Sequence, residues 1–396
     1  MTDRIVFCAE TYFQQRDYAR FGIEILREHG FQVEIWEIFR PFRPEYARTY
    51  SPPDPSDYAH IKRFERADDI YREIRRLGPT DTVIAPWGWS DLRMASGVFR
   101  ALASSRVYFG SIVMGVGMDL RGSRVITLSR IADGLYRRMP HWLRRTRPFD
   151  YLFLCGGTVL QTFTNLVPEA AHIWAHTLDY DLILESELKY MGERKKHIVF
   201  LDEYVPFHPD YSVHGIAAPM TAAEYYPKLT QLFLQLEEQL GLPVVIAAHP
   251  RANYSAHHDY FEGRRVVQGH TCALVRDSVL VLTHCSVANN FTIAFRKPAL
   301  VLTTSGLTQS LYGPPIESMA RMLGCPLINL DHLQDQIIRI PVLDEEKYSQ
   351  YFNRIIKRDG TSRETAWQIF AKHLRNRNAE FGINANARVG SPDSIS

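Results

Sequence analysis

Short apolar runs, each bounded by helical patterns and each closing on polar residues, recur along the second half of the chain. HIVFL from His197 leads into Asp202-Glu203, VVIAA from Val244 into His249-Pro250-Arg251, and VLVLT from Val279 into His284-Cys285-Ser286. Further runs follow at Arg264 to Gln268 and Ala299 to Leu302, and Ala222 to Leu240 has the period of an amphipathic helix stopped by Gly241 and Pro243. Such runs are the pattern of buried parallel strands in an α/β sheet. Ligands of these sheets bind beyond the carboxyl ends of the strands, so the residues after each run are the ones to read for chemistry.

The first half opens in the same way. RIVFCA (Arg4 to Ala9) reads as a strand, Tyr18 to His29 as a helix stopped by Gly30, and Phe31 to Phe39 as a second strand, which together spell β-α-β. Five prolines make Arg40 to Tyr58 a loop, and Ile61 to Leu77 reads as one charged amphipathic helix. Strands are expected at Thr82 to Ala85, Val107 to Val113 and Tyr151 to Leu154, with helices at Leu92 to Ala103 and Val159 to Leu166. Cys8 to Phe13 stands where a G-x-G-x-x-G would follow the first strand, which argues against a dinucleotide-binding oxidoreductase. The charged stretch Thr177 to Lys196 marks a domain junction, and helical patterns return at Asp331 to Ile338, Glu345 to Lys357 and Glu364 to Asn376. The expected architecture is α/β: two Rossmann-like doubly wound domains, 1–180 and 197–340, facing a central cleft. C-terminal helices over 341–380 and a disordered tail over 384–396 would complete it.

Composition narrows the class. At 396 residues the chain exceeds a single core of usual size. No run approaches the roughly 20 apolar residues that span a bilayer. The opening MTDRIVFCAETYF lacks the pattern of a secretory leader, so a cytoplasmic location is expected. The five cysteines stand singly and read as reduced core residues. A net charge of +2 points to no nucleic-acid partner. One stretch departs from that balance: Arg121 to Arg147 holds eight arginines against one acid, Asp133, interleaved with apolar and aromatic residues. Such a stretch, including Arg137, Arg138, Arg144 and Arg145, suits an anionic membrane surface or a polyanionic acceptor. A solvated helix face is the plainer alternative.

The strand ends suit a phosphate-bearing ligand. At His249-Pro250-Arg251 the proline stiffens the strand exit, the histidine can donate to an anion, and the arginine offers a fork matched to phosphate oxygens. At the next run, Ser286 is placed at or near a helix N-cap, with His284, Asn289 and Asn290 around it. Asp202-Glu203 holds the corresponding position after HIVFL, where a carboxylate could take a proton from an acceptor hydroxyl or bind ribose hydroxyls. His208-Pro209 repeats the His-Pro pair but lies outside a strand end and reads as loop. A base could instead come from the first half, from Glu10 or Asp91, and Trp87 and Trp89 could stack on a sugar or base. His176 and Asp179 are a weaker pair, and His257-His258 reads as solvated.

The order acidic pair, His-Pro-Arg, then serine with a helix start resembles the second domain of GT-B glycosyltransferases, and more narrowly the bacterial sialyltransferase and Kdo-transferase-like families that use CMP-sugars. The resemblance implies that Asp202 or Glu203 activates the acceptor, that His249-Pro250 contacts the donor phosphate and helps the nucleotide leave, and that Ser286 holds the phosphate. The acidic motif of those families usually ends in glycine, where Tyr204 stands here, and their Ser/Thr motif is often a pair, where Cys285 precedes Ser286.

The expected function is therefore transfer of a sugar from a nucleotide-sugar, CMP-sugar favoured, to a hydroxyl of a surface glycan or lipid-linked polysaccharide. No cofactor and no tightly bound metal is expected, since His, Arg and helix N-termini can neutralise the leaving phosphate. Three rivals stand beside it: a non-hydrolysing UDP-sugar 2-epimerase, a CDP-glycerol-type polyol-phosphate transferase, and a non-catalytic nucleotide- or glycan-binding module.

Overall fold

The structure is a computed structural model that describes residues 3–52, 54–85, 92–113, 143, 145, 147–155, 171–189, 196–208, 211, 217–256, 259–335 and 338–389. Its described residues fall into two compact units. The first takes the chain up to Leu178 and again from Lys357 onward, and the second takes Asp179–Ile356. Each is a parallel, doubly wound α/β sheet.

In the first unit seven strands run β1 Arg4–Ala9, β2 Gln32–Glu37, β3 Ile61–Arg63, β4 Thr82–Ala85, β5 Tyr108–Val113, β6 Tyr151–Cys155 and β7 Ala171–Ala175. They lie in the order β3-β2-β1-β4-β5-β6-β7, every pair parallel. Alternation along β1 sends Ile5 and Phe7 into one core and Val6 and Cys8 into the other, which is why the strand is apolar throughout. The first of these cores is closed by the C-terminal helix Ala366–Val389, through Trp367, Phe370, Ala371 and Leu374.

In the second unit six strands, β8 His197–Leu201, β9 Val244–Ala248, β10 Val266–Gln268, β11 Ser278–Thr283, β12 Ala299–Thr303 and β13 Leu327–Asn329, lie in the order β10-β9-β8-β11-β12-β13. Every residue of β8, β9 and β12 is buried, as their unbroken apolar runs require. The helix Ala222–Leu240 packs Tyr225, Leu229, Leu232, Phe233 and Leu236 into this core. It is started by a reciprocal Thr221–Glu224 capping box and stopped by Gly241 in the left-handed conformation. The chain reverses direction across the sheet between β8 and β11, which sets their carboxyl ends side by side.

Several sequence expectations are corrected. The helix expected over Tyr18 to His29 is two helices, Gln15–Arg20 and Ile23–Glu28. They break at Gly22, whose φ is 56° and where a Cβ would lie 2.2 Å from the Trp367 ring. The proline-rich loop contains a helix, Pro44–Thr49, with proline at its first turn. Ile61 to Leu77 divides into edge strand β3 and the helix Ala67–Arg75. The junction stretch holds a helix, Leu178–Lys189, and Asp331 to Ile338 reduces to a 3₁₀ segment, Leu330–Asp335. The last helix continues through Val389, past the expected start of the disordered tail. Strands β7 and β13 and the helix Gly313–Leu323 have no expectation behind them. The helix expected over Val159 to Leu166 lies outside the described residues. No described helix is long and apolar enough to cross a membrane.

Candidate functional site

The ends of β8, β9 and β11 are joined by the acidic pair. The Asp202 carboxylate accepts from the His249 backbone N–H (3.2 Å), from the Tyr254 hydroxyl (2.8 Å) and from the Tyr204 N–H (2.8 Å). Glu203 turns to the other neighbour, where it accepts from the Cys285 backbone N–H at 2.6 Å, and the Cys285 thiol donates to its second oxygen at 3.4 Å. Two adjacent carboxylates thus reach opposite strands.

Burial raises the pKa of both. Asp202 is 4% exposed, and burial raises its pKa above the usual carboxylate range, with its three donors opposing that rise only in part. Glu203 is more accessible than Asp202, yet desolvation raises its carboxyl to about 7, against the lowering effect of the Cys285 donors. A carboxyl near neutrality is suited to taking and returning protons. The Cys285 thiol beside it is buried and driven well above its usual range, so it acts as a neutral donor. Tyr204 holds φ 52° and ψ 38°, the left-handed conformation that glycine adopts without cost. The Asp202 bond to its N–H and its packing on Phe207 and Tyr254 hold it there.

Beyond β9 the half-buried side chains of His249 and Arg251 meet His208 from the loop after β8. The two imidazole centroids are 4.9 Å apart, and an Arg251 guanidinium N–H donates to His208 Nε2 at 3.2 Å. The Arg251 backbone N–H donates to His249 Nδ1 at 3.2 Å. His208, which the sequence presents as loop chemistry, thus belongs to the cluster. The one sequence signal for it is the repeated His-Pro pair itself. Pro250 follows at the strand exit, where the Gln268 side chain bonds the carbonyls of His249, Pro250 and Ala252.

At the end of β11 the structure turns three expected ligands inward. His284 is fully buried; its Nδ1 donates to the Leu302 carbonyl at 2.7 Å, so its Nε2 accepts from the Tyr225 hydroxyl at 2.6 Å. Burial lowers its basicity to about 4. Asn289 bonds Thr283 and the Ser286 carbonyl, and Asn290 bonds Asp179 at 2.7 Å and Tyr351 at 3.2 Å. These three side chains hold the turn together and face the core instead of a phosphate. Ser286 is partly exposed; it accepts from the Ala288 N–H at 3.2 Å and precedes the cap of the short helix Asn289–Ala294, whose N-cap is Ala288. Sequence reasoning does not single out Asp331, which accepts from the Ser305 N–H at 2.6 Å and pairs with Lys228.

Glu10 lies in the first unit at the end of β1 and is 7% exposed. Trp87, Trp89, Asp91, Arg137, Arg138, Arg144, His257 and His258 lie outside the described residues. Arg145 is exposed, with a left-handed φ of 55°. Arg147, the last of the basic stretch, is taken up by the fold: it pairs with Asp150 at 2.6 Å, donates to the Val107 and Leu102 carbonyls, and lies 4.6 Å from the Phe109 ring centroid. The ring nitrogens of His176 face the carbonyls of Thr177 and Glu364, while Asp179 bonds Asn290. Among the described residues, no group of three His, Cys, Asp or Glu side chains is arranged to hold a metal ion.

Two doubly wound parallel sheets, the second carrying polar residues at the ends of the strands flanking its reversal, define the two-domain GT-B fold. No family model matches the sequence, and no curated protein matches it. Among solved structures the chain is similar to the wall teichoic acid polymerase TagF. Its H548A variant aligns with a TM-score of 0.53 and 11% identity over 96% of this chain and 89% of that one. Its H444N variant gives a TM-score of 0.52 and 9% identity over 96% and 89%. Arabidopsis thaliana UGT89C1 complexed with UDP aligns at 0.46, with 9% identity over 95% and 99%. At these identities the likeness is one of fold.

Proposed function

We propose that the protein is a glycosyltransferase that moves a sugar from a nucleotide-sugar, a CMP-sugar first among the candidates, to a hydroxyl of a surface glycan. The observation that carries this reading is the division of labour within the acidic pair: Asp202 braces the β9 end that bears His249 and Arg251, while Glu203 stands at the β11 side near neutrality. The acceptor hydroxyl gives its proton to Glu203, its oxygen bonds the anomeric carbon, and the bond from that carbon to the donor phosphate oxygen breaks. The electron pair leaves with the nucleotide, whose growing charge is met by His249, Arg251 and the neighbourhood of Ser286. Glu10, Trp87, Trp89 and Asp91 are the candidates for holding the acceptor. Four arginines of the basic stretch, Arg137, Arg138, Arg144 and Arg145, would hold an anionic membrane or polyanionic chain. Salt-sensitive flotation with anionic liposomes, lost when these four charges are removed, tests that attachment.

The fold likeness to a wall teichoic acid polymerase favours one second reading, transfer of a polyol phosphate, in which the hydroxyl attacks phosphorus and the same groups stabilise the departing nucleotide. Incubation with CMP-sugar, UDP-sugar and CDP-glycerol separates the two. Glycosyl transfer leaves the donor phosphate on the nucleotide, whereas polyol-phosphate transfer carries phosphorus into the product. Absence of transfer from every donor contradicts both.

A further inference from the structure

Among the described residues, four other than glycine have a positive φ: Arg145, Tyr204, Glu262 and Arg296. Tyr204 is the buried one of the four, and a bulky residue keeps a left-handed φ of 52° only where its surroundings over-determine it. The turn directs its N–H to Asp202 Oδ1 at 2.8 Å and sets its ring edge-on to Tyr254, with centroids 5.3 Å apart and planes at 80°. Asp202 Oδ2 accepts both the His249 N–H at 3.2 Å and the Tyr254 hydroxyl at 2.8 Å. A single carboxylate oxygen thus gathers the first and last residues of loop 249–254, and Pro250 and Arg251 lie between them. Tyr254 is backed by Phe261, ring centroids 5.1 Å apart, and by the Tyr226 hydroxyl at 3.2 Å. Gln268 clasps the same loop through the carbonyls of His249, Pro250 and Ala252.

We infer that Tyr204 is a positioning residue: its left-handed turn and its ring hold Asp202 and Tyr254 in the arrangement that shapes loop 249–254 before the donor binds. The inference rests on the proposed use of that loop for a phosphate-bearing donor. A loop already ordered loses less conformational freedom on binding, and apparent affinity falls by the fraction of molecules in which the loop is out of shape. The left-handed backbone separates this role from plain packing. Glycine adopts φ 52° without cost but has no ring to set against Tyr254, so a Tyr204→Gly protein relaxes the backbone and loses the strut. Were Tyr204 a packing residue alone, nucleotide affinity would follow stability.

Two measurements on the intact protein test this. The first, hydrogen exchange without ligand, compares the amides of His249 and Ala252 with those of β12 in wild type, Tyr204→Gly and Tyr204→Ala. Both variants should speed the two loop amides about 10-fold or more and leave β12 unchanged. The second is the affinity for whichever of CMP, CDP, UDP and GDP binds wild type most tightly. It should fall on the order of 10-fold, and equally, in the glycine and alanine variants, although the glycine variant melts at the higher temperature. Tyr204→Phe keeps the ring and should bind several-fold more tightly than either. If neither small variant folds, Tyr254→Phe, which removes only the hydroxyl on Asp202, should speed the same loop amides. Wild-type affinity in Tyr204→Gly, a phenylalanine variant no better than glycine, or loop exchange unmoved by every substitution overturns the assignment. If no nucleotide binds wild type, the donor reading fails, while the exchange rates still uphold or overturn the brace.

Discussion

The carboxylate of Glu203 accepts the backbone N–H of Cys285 at 2.6 Å, tying the end of β8 to the end of β11 at the point where the sheet reverses. A carboxyl held there by burial at about 7 is half ionised near neutrality, and the ionised form is the one that accepts a proton.

Turnover in the wild type should therefore rise as pH passes through about 7 and level off above it. Glu203→Gln should lower kcat by 10²-fold or more, within the usual range for a general base, and abolish that rise. A pH–rate profile of both proteins measures this, and an unchanged profile in the variant removes Glu203 from the base role.

The same raised pKa predicts a gain in stability on substitution. With a folded value of about 7 against an ordinary value of 4.5, the folded state binds the Glu203 proton more tightly than the unfolded state does. Stability from this group is present at low pH and is lost as pH rises from 4.5 towards 7. At pH 8 Glu203→Gln should be more stable than wild type by about 2 kcal/mol, since each pH unit between the two values contributes about 1.36 kcal/mol before screening by solvent at this partly exposed group. Urea unfolding should show a gain several-fold larger at pH 8 than at pH 5, and equal gains at the two would contradict the raised pKa.

His284 has the opposite sign. Its folded value, about 4, lies below the ordinary value of 6.5, so its neutral, bonded state contributes stability above pH 6.5 that is lost as pH falls towards 4. His284→Ala, which strands the Tyr225 hydroxyl and the Leu302 carbonyl, should cost about 3 kcal/mol or more at neutral pH. It should also flatten acid destabilisation between pH 6.5 and 4. Chemical denaturation across that range checks both.

Tyr204 carries a backbone cost that glycine would not. Tyr204→Gly and Tyr204→Ala lose the same contacts with Phe207 and Tyr254, but only alanine keeps the left-handed penalty. The glycine variant should be more stable than the alanine variant by about 1 kcal/mol. Equal stabilities would show that the strain is absorbed elsewhere.

Much of this fold was legible because buried parallel strands write themselves as unbroken apolar runs: β8, β9, β11 and β12 stand where HIVFL, VVIAA, VLVLT and ALVL are. The strand-end rule then leads to Asp202, Glu203, His249 and Arg251, which the structure brings to neighbouring strand ends. Orientation was not legible. Nothing in THCSVANN distinguishes a histidine or asparagine aimed at a ligand from one that satisfies the core, and His284, Asn289 and Asn290 do the latter. His208 escaped because its partner lies a whole helix and strand away in sequence. Short edge elements such as β3 and β7 were hidden because exposed or brief strands lack the long apolar run.

A thermal-shift panel of CMP, CDP, UDP and GDP on wild type and His249→Ala tests most directly whether the β9 cluster holds a donor nucleotide. A ligand that binds only the folded state adds about 2.7 kcal/mol at about one hundred times its dissociation constant. A cytidine nucleotide, CMP first, should raise the Tm of wild type and raise that of His249→Ala far less. No shift from any of the four nucleotides, or equal shifts in the two proteins, would contradict it.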